Sequence, residues 1–194
     1  MPERRGQAPA TGRVGTWAVI AVVVALVLGG SWGLTRKPDA SGATTQVQVS
    51  GVAAAPLVGR PAPDFTATAL DGSRVSIAQL KGRPVWVTFG ATWCAPCRAE
   101  APDLQSAYAA HRGAGLEVVS VYTAQEAPAV KEYAELLGLT YRHVPDPQSL
   151  AAASYGVSGI PVHFFIGADG VLKQRTEGAL SRPEMDAALA AIGA

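Results

Sequence analysis

The 194-residue chain carries 16 Lys and Arg against 15 Asp and Glu, and 48% of its residues are hydrophobic. No basic patch interleaved with aromatics occurs, so nucleic acid is excluded as a partner. Its two cysteines have only His111, His143 and His163 to join them, each isolated in sequence, which argues against a four-ligand zinc site.

Residues 17–34 contain no charged side chain. As a helix they rise about 27 Å, close to the ~30 Å hydrocarbon core of a bilayer. The stretch is longer than the apolar region of a secretory signal, and no clean small-x-small cleavage site follows it. An uncleaved transmembrane anchor is therefore predicted over 17–34. A buried core helix fits less well, because Arg13 flanks the stretch on one side and Arg36-Lys37 on the other. Arg4-Arg5 lacks the apolar residues that follow a twin-arginine signal and reads as flanking charge. Arg4, Arg5 and Arg13 against Glu3, compared with Arg36 and Lys37 against Asp39, assign residues 1–16 narrowly to the cytoplasmic side.

Residues 35–56, rich in Ala, Ser, Thr, Gly, Gln and Val, sustain no apolar period and are expected to form a flexible linker. Residues 57–194 suffice for one domain with a single core. Basic side chains number five against two acidic ones over residues 1–57, and eleven against thirteen beyond, so the domain is slightly acidic.

Within the domain, strands are predicted at 65–70 and 74–77 around Asp71-Gly72, a hairpin signal. The nearly continuous apolar run 84–89 suits a strand buried on both faces. A helix follows over 94–112, with an interior proline at Pro102 that removes one backbone hydrogen bond. Then come a strand at 116–122, an amphipathic helix at 127–137 closed by Gly138, a short strand at 141–144 and a short helix at 150–155. The last elements are a hairpin, 162–166 and 171–175, around Asp169-Gly170, and a helix over 182–192. Ser181 is its N-cap and Pro183 lies in its first turn. Strands alternating with helices, then a closing hairpin, predict an α/β fold.

The two cysteines stand in Trp93-Cys94-Ala95-Pro96-Cys97, between that apolar strand and that helix. A first thiol at a helix start meets unpaired backbone N–H groups and the positive end of the helix dipole, both of which favour thiolate. The second thiol, one turn along, is placed to attack a mixed disulfide. Pro96 is tolerated in the first turn, where its missing N–H has no intrahelical acceptor. Haem attachment would require His at position 98, which is Arg98. A purely structural disulfide would close too short a loop to constrain the unfolded chain much. A redox dithiol is the predicted chemistry, with Cys94 as exposed nucleophile and Cys97 as shielded resolving thiol. Glu100 lies near the same helical face as both. From there it can accept the Cys97 proton, while its charge opposes a neighbouring thiolate.

The run from Phe89 through Leu104 resembles the active-site block of membrane-anchored TlpA/ResA-like thioredoxins, a group that includes the CcmG/DsbE proteins of cytochrome c maturation. Tyr155 through Ile166 is similar to the cis-proline segment of that family and the strand after it, and Gly167-Ala168-Asp169-Gly170 matches its hairpin turn. The lead-in over residues 59–82, from Gly59-Arg60-Pro61-Ala62-Pro63-Asp64-Phe65 through Leu80-Lys81-Gly82, is similar to the N-terminal extension shared with redoxins and peroxiredoxins. The resemblance implies a thioredoxin-like fold with an N-terminal β-hairpin extension, preceded here by one transmembrane helix. It also implies that Glu100 assists proton movement. A cis bond at Pro161 would bring the Ile160 backbone beside Cys94, where it can pair with an extended substrate, and Trp93 offers an apolar docking rim. Two positions depart from relatives. Thr88 stands where thioredoxin itself has a buried acid, and Gly90 where many relatives have an aromatic residue, which is expected to loosen packing below the dithiol. Arg98 reads as surface charge and His163 as a packed or edge histidine rather than a catalytic one.

Together these features point to a membrane-tethered, extracytoplasmic thiol–disulfide oxidoreductase. No metal or other cofactor is expected beyond a Cys94–Cys97 disulfide. The expected partners are a protein thiol or disulfide substrate and a membrane electron donor, and the chain is expected to be a monomer. Reduction of a specific partner is the leading direction; oxidation is the alternative, since Ala95-Pro96 does not settle it. A non-enzymatic binding module is disfavoured by the intact cysteine pair. Peroxiredoxins place Thr three residues before the reacting cysteine, whereas Ala91 precedes Cys94 and Cys94 precedes Cys97 at that spacing.

Overall fold

Alternation of apolar residues along β4 (Val85–Gly90) sends Val85, Val87 and Phe89 to one face of the main sheet and Trp86 to the other. Both faces must therefore be covered, and they are. The computed structural model describes residues 22–25, 47–49 and 55–194. It divides the chain into two units, Met1–Thr44 and Thr45–Ala194. In the first, only residues 22–25 are described, a helical turn whose side chains are exposed. The predicted segment 1–16 and most of the predicted anchor 17–34 and linker 35–56 lie outside the described residues. Among the described residues no helix is long and apolar enough to cross a membrane.

The second unit holds two sheets. β1 (Gln48–Val49), β2 (Phe65–Thr68) and β3 (Arg74–Ser76) form a small antiparallel sheet in that order. β5 (Glu117–Thr123), β6 (Arg142–Asp146), β7 (Val162–Ile166) and β8 (Leu172–Glu177) join β4 in a five-stranded sheet of order β6-β5-β4-β7-β8. β4, β5 and β6 run parallel, and β7 and β8 antiparallel to their neighbours. Helices α1 (Ala95–His111), α2 (Ala127–Leu137), α3 (Leu150–Ser154) and α4 (Arg182–Ala191) complete the unit. This is the mixed α/β, thioredoxin-like architecture that the resemblance implies, hairpin extension included.

Local chemistry explains the boundaries. Asp71 Oδ1 accepts the Ser73 N–H at 2.9 Å and Gly72 sits at φ 80°, closing the β2–β3 turn. Gly138, at φ 61°, ends α2. Ser181 and Glu184 form a reciprocal capping box that starts α4. Helix α1 continues through Pro102. β1 lies within the predicted linker and pairs with β2 through Gln48↔Thr66 and Val49↔Phe65. Val47 and Val49 alternate with Gln46 and Gln48, and Val47 is buried in the core, so the period-two signal is real but only one step long.

One core face gathers Phe65, Val75, Phe89, Tyr155 and Phe164 between the small sheet, α3 and the main sheet. The other packs Trp86 and Phe165 against Leu104 of α1, Tyr133 of α2 and Met185 and Leu189 of α4. Near this second face His143 is buried. Its Nε2 lies 3.3 Å from the Leu139 carbonyl, which only accepts, so Nδ1 is the acceptor for the Tyr122 hydroxyl at 2.8 Å. Burial pushes the imidazole from its ordinary 6.5 down to about 4. The unfolded chain therefore binds this proton first, so stability is full above about pH 6.5 and is lost as pH falls towards 4. Integrated over that window the loss is about 3 kcal/mol. Urea unfolding at pH 7 and pH 4 is expected to show this excess loss in the wild type relative to His143→Gln. The same comparison cancels Asp146, whose carboxyl burial pushes up. Equal losses in both proteins would contradict the assignment.

Candidate active site

The site begins where β4 stops. Cys94 N–H donates to the Ala91 carbonyl at 3.1 Å, and Cys94 becomes the N-cap of α1 with extended backbone. Its Sγ accepts the Cys97 N–H at 3.3 Å, so a sulfur takes the place of the usual capping oxygen and faces the helix dipole. Cys94 and Cys97 are joined as a disulfide. The expected exposures are reversed in this state. Cys94 is 4% exposed because its side chain folds back over the first helical turn, whereas Cys97 is partly exposed. The assignment of Cys94 as nucleophile therefore rests on its place at the helix start and not on exposure.

Gly90 does not loosen the packing beneath the dithiol. A Cβ there would lie 3.3 Å from Cys97 Sγ, so the glycine makes room for the sulfur. Below it a cavity of about 20 Å³, room for one water, is bordered by Thr88, Gly90, Cys97, Glu100 and Tyr122. Burial raises the Tyr122 phenol above its ordinary range, so it serves this wall as a neutral hydroxyl. Glu100 is 5% exposed, which excludes an ordinary solvated helix-face carboxylate. Its Oε2 accepts the Leu180 N–H at 3.0 Å and lies 3.4 Å from His163 Nε2. Glu100 and Cys97 thus share one small enclosure, as their helical spacing predicts.

The second element of the site comes from β7. The Ile160–Pro161 peptide is cis. Phe89 pairs with Val162, so continuing the antiparallel register sets Pro161 across from Gly90, at the sheet end where the dithiol turn departs. Ile160 is half-buried and its backbone has no hydrogen-bond partner among the described residues. Trp93 is 69% exposed. Arg98 is exposed, as a surface charge should be. His163 is packed, as expected, but beside Glu100.

One group that sequence reasoning missed is Gln125, in the β5–α2 loop. Its Oε1 accepts the Thr92 N–H at 2.6 Å, and its Nε2 donates to Thr92 Oγ1 at 2.7 Å. This buried two-point clamp fixes the residue two before Cys94. Ala124, just before it, adopts φ 55° and donates its N–H to the Asp146 carbonyl, which orients the clamp. Among the described residues no group of His, Cys, Asp and Glu is placed to hold a metal ion.

A model of the AhpC/TSA family matches residues 58–175. The thiol-disulfide oxidoreductase ResA of Geobacillus kaustophilus is 32% identical over 135 residues, covering 70% of this chain and 78% of that protein. ResA of Bacillus thuringiensis is 27% identical over 171 residues, 88% of this chain and 94% of the relative. Among solved structures, a thioredoxin-family thiol:disulfide interchange protein from Chlorobium tepidum is 31% identical with TM-score 0.64, covering 71% of this chain and 99% of that one. A secreted Mycobacterium tuberculosis disulfide oxidoreductase, described as homologous to Escherichia coli DsbE, is 30% identical with TM-score 0.60, covering 66% and 95%.

Proposed function

The chain belongs to the AhpC/TSA family and is a TlpA/ResA-like protein-disulfide oxidoreductase, and on that premise we propose that it is a membrane-tethered, extracytoplasmic reductant of a partner protein's disulfide. The observation that carries this reading is the enclosure shared by Cys97 and Glu100 behind a helix-capping Cys94. Proteins of this kind work through a redox-active disulfide and need no further cofactor.

In the reduced protein, the Cys94 thiolate attacks one sulfur of the partner disulfide. The partner's S–S bond breaks, its other sulfur leaves as a thiolate, and the attacked sulfur becomes bonded to Cys94. Cys97 then gives its proton to Glu100 and attacks Cys94 Sγ, which releases the second partner thiolate and closes Cys94–Cys97. Two electrons have passed to the partner, whose thiolates take up protons from solvent. A membrane-embedded dithiol donor reopens the disulfide for the next cycle. Trp93 supplies an apolar rim and the unpaired Ile160 backbone, held by cis Pro161, a strand-like edge for an extended substrate. Cytochrome c maturation is the process in which such a reductant fits, and the domain acts as a monomer on its tether.

The uncharged stretch 17–34, with the heavier positive flank before it, supports anchoring with residues 57–194 outside the cytoplasm. The match to the Bacillus thuringiensis relative spans 88% of the chain, more than the domain alone, in keeping with a shared N-terminal segment. A reporter active only in the cytoplasm, fused after Ala194, is expected to be silent; full activity there would overturn the topology.

A further inference from the structure

His163 and Glu100, 63 positions apart in sequence, meet behind the dithiol, and the exchange of thiols and disulfides does not itself use the histidine. Strand register brings them together. His163 of β7 pairs directly with Thr88 of β4, so it shares a sheet face with Thr88 and with Trp86 two residues earlier. Glu100, one turn beyond Cys97 on α1, points back onto that face. Leu180, just before α4, closes the other side.

The hydrogen positions on this cluster follow from valence. Trp86 Nε1 lies 3.3 Å from His163 Nδ1, and an indole nitrogen only donates. Nδ1 is therefore the lone-pair nitrogen, and the ring hydrogen sits on Nε2. A second proton on Nδ1 would set two donors against each other. Nε2 is buried and makes no hydrogen bond among the described residues. Its charged neighbour is Glu100 Oε2 at 3.4 Å. The Leu180 N–H reaches the same oxygen.

We infer that His163 is a positioning residue: its Nε2–H edge, oriented by Trp86, faces Oε2 of Glu100 at 3.4 Å beside the Leu180 N–H, and so leaves Oε1 to receive the Cys97 proton. The Leu180 N–H bonds Oε2 and the His163 Nε2–H faces the same oxygen, so a proton arriving there would disturb both, whereas a proton on Oε1 disturbs neither. When Cys97 attacks Cys94, its proton moves to Oε1, the Cys94–partner bond breaks and Oε2 keeps its two N–H neighbours throughout. The histidine neither gains nor loses a proton. This inference rests on the reading of Glu100 as the acceptor.

The test is the rate at which Cys97 releases a preformed mixed disulfide, measured beside the rate at which Cys94 forms it, in Glu100→Gln, His163→Leu, His163→Gln and the double variant Glu100→Gln/His163→Leu. His163→Leu is expected to slow release several-fold, because it removes the N–H edge that faces the carboxylate, with formation unchanged. His163→Gln, which keeps an N–H donor at similar reach, is expected to recover most of the loss. In the Glu100→Gln background His163→Leu should add little. Wild-type release by His163→Leu, or its full effect added on top of Glu100→Gln, would overturn the inference while leaving Glu100 as acceptor. Wild-type release by Glu100→Gln would overturn both. Nitrogen NMR of the wild-type oxidised protein supplies a readout independent of folding in the variants. It should find a hydrogen on His163 Nε2 and none on Nδ1, and an Nδ1–H would contradict the scheme.

Discussion

In a Cys97→Ser variant a mixed disulfide between Cys94 and the partner protein accumulates, whereas Cys94→Ser forms none. The asymmetry comes from the positions of the two sulfurs. Cys94 caps α1, where the Cys97 N–H and the helix dipole favour its thiolate, so it begins the exchange. Cys97 resolves the adduct because it is held one turn away. Removing it replaces an intramolecular attack by a bimolecular one, and release should fall by at least ~10³-fold. Non-reducing gels of the two variants incubated with a disulfide-bonded substrate read the outcome directly. Trapping by Cys94→Ser instead would exchange the two roles. That result is a live test, because Cys94 is the more buried sulfur in the disulfide state.

Tyr155→Ala is expected to be among the most destabilising single changes in the domain. The ring is fully buried and lies 4.8 Å from the Phe164 centroid, 5.2 Å from Phe89 and 5.8 Å from Phe65. These three belong to β7, β4 and β2, so one side chain ties the small sheet to the strand that delivers the dithiol. Its hydroxyl also donates to the Pro63 carbonyl at 2.7 Å. Truncation removes the ring and leaves a cavity, at a cost of about 3–5 kcal/mol. Tyr155→Phe removes only the hydrogen bond, at about 1 kcal/mol. Against a typical domain stability of about 5–15 kcal/mol the first is severe and the second is mild. Urea midpoints of the two variants separate them. A Tyr155→Ala midpoint no lower than that of Tyr155→Phe would contradict the packing.

Much of this was legible in the sequence because it was local. The run Val85–Gly90 is apolar on both faces because both faces are covered, and Cys94 and Cys97 announce themselves by spacing and by the strand before them. Gly138, Ser181 and the Asp71-Gly72 turn mark their boundaries through backbone chemistry that a few residues contain. The relation of Glu100 to Cys97 is local too, one helical turn. What escaped was long-range. The pairing of His163 with Glu100 depends on β4–β7 register, and the Gln125–Thr92 clamp on a loop that leaves the neighbouring strand. A polar residue in a loop carries no spacing signal of either. β1 is two residues long, too short for its alternation to stand out from the composition around it. The reversed exposure of the two cysteines is a matter of side-chain direction at the N-cap, which spacing does not encode.

The reduction potential of Cys94–Cys97 decides the direction of electron flow. A buried carboxylate behind the dithiol opposes thiolate and so disfavours the reduced, ionised form relative to the disulfide. A strong oxidant needs the opposite, a reduced form stabilised as thiolate. Equilibration with a glutathione or dithiothreitol buffer is therefore expected to give a potential near or below about −220 mV, in the range of thioredoxin and the glutaredoxins. A value of about −120 mV, that of a dedicated disulfide donor, would make the protein an oxidant of its partner and not a reductant.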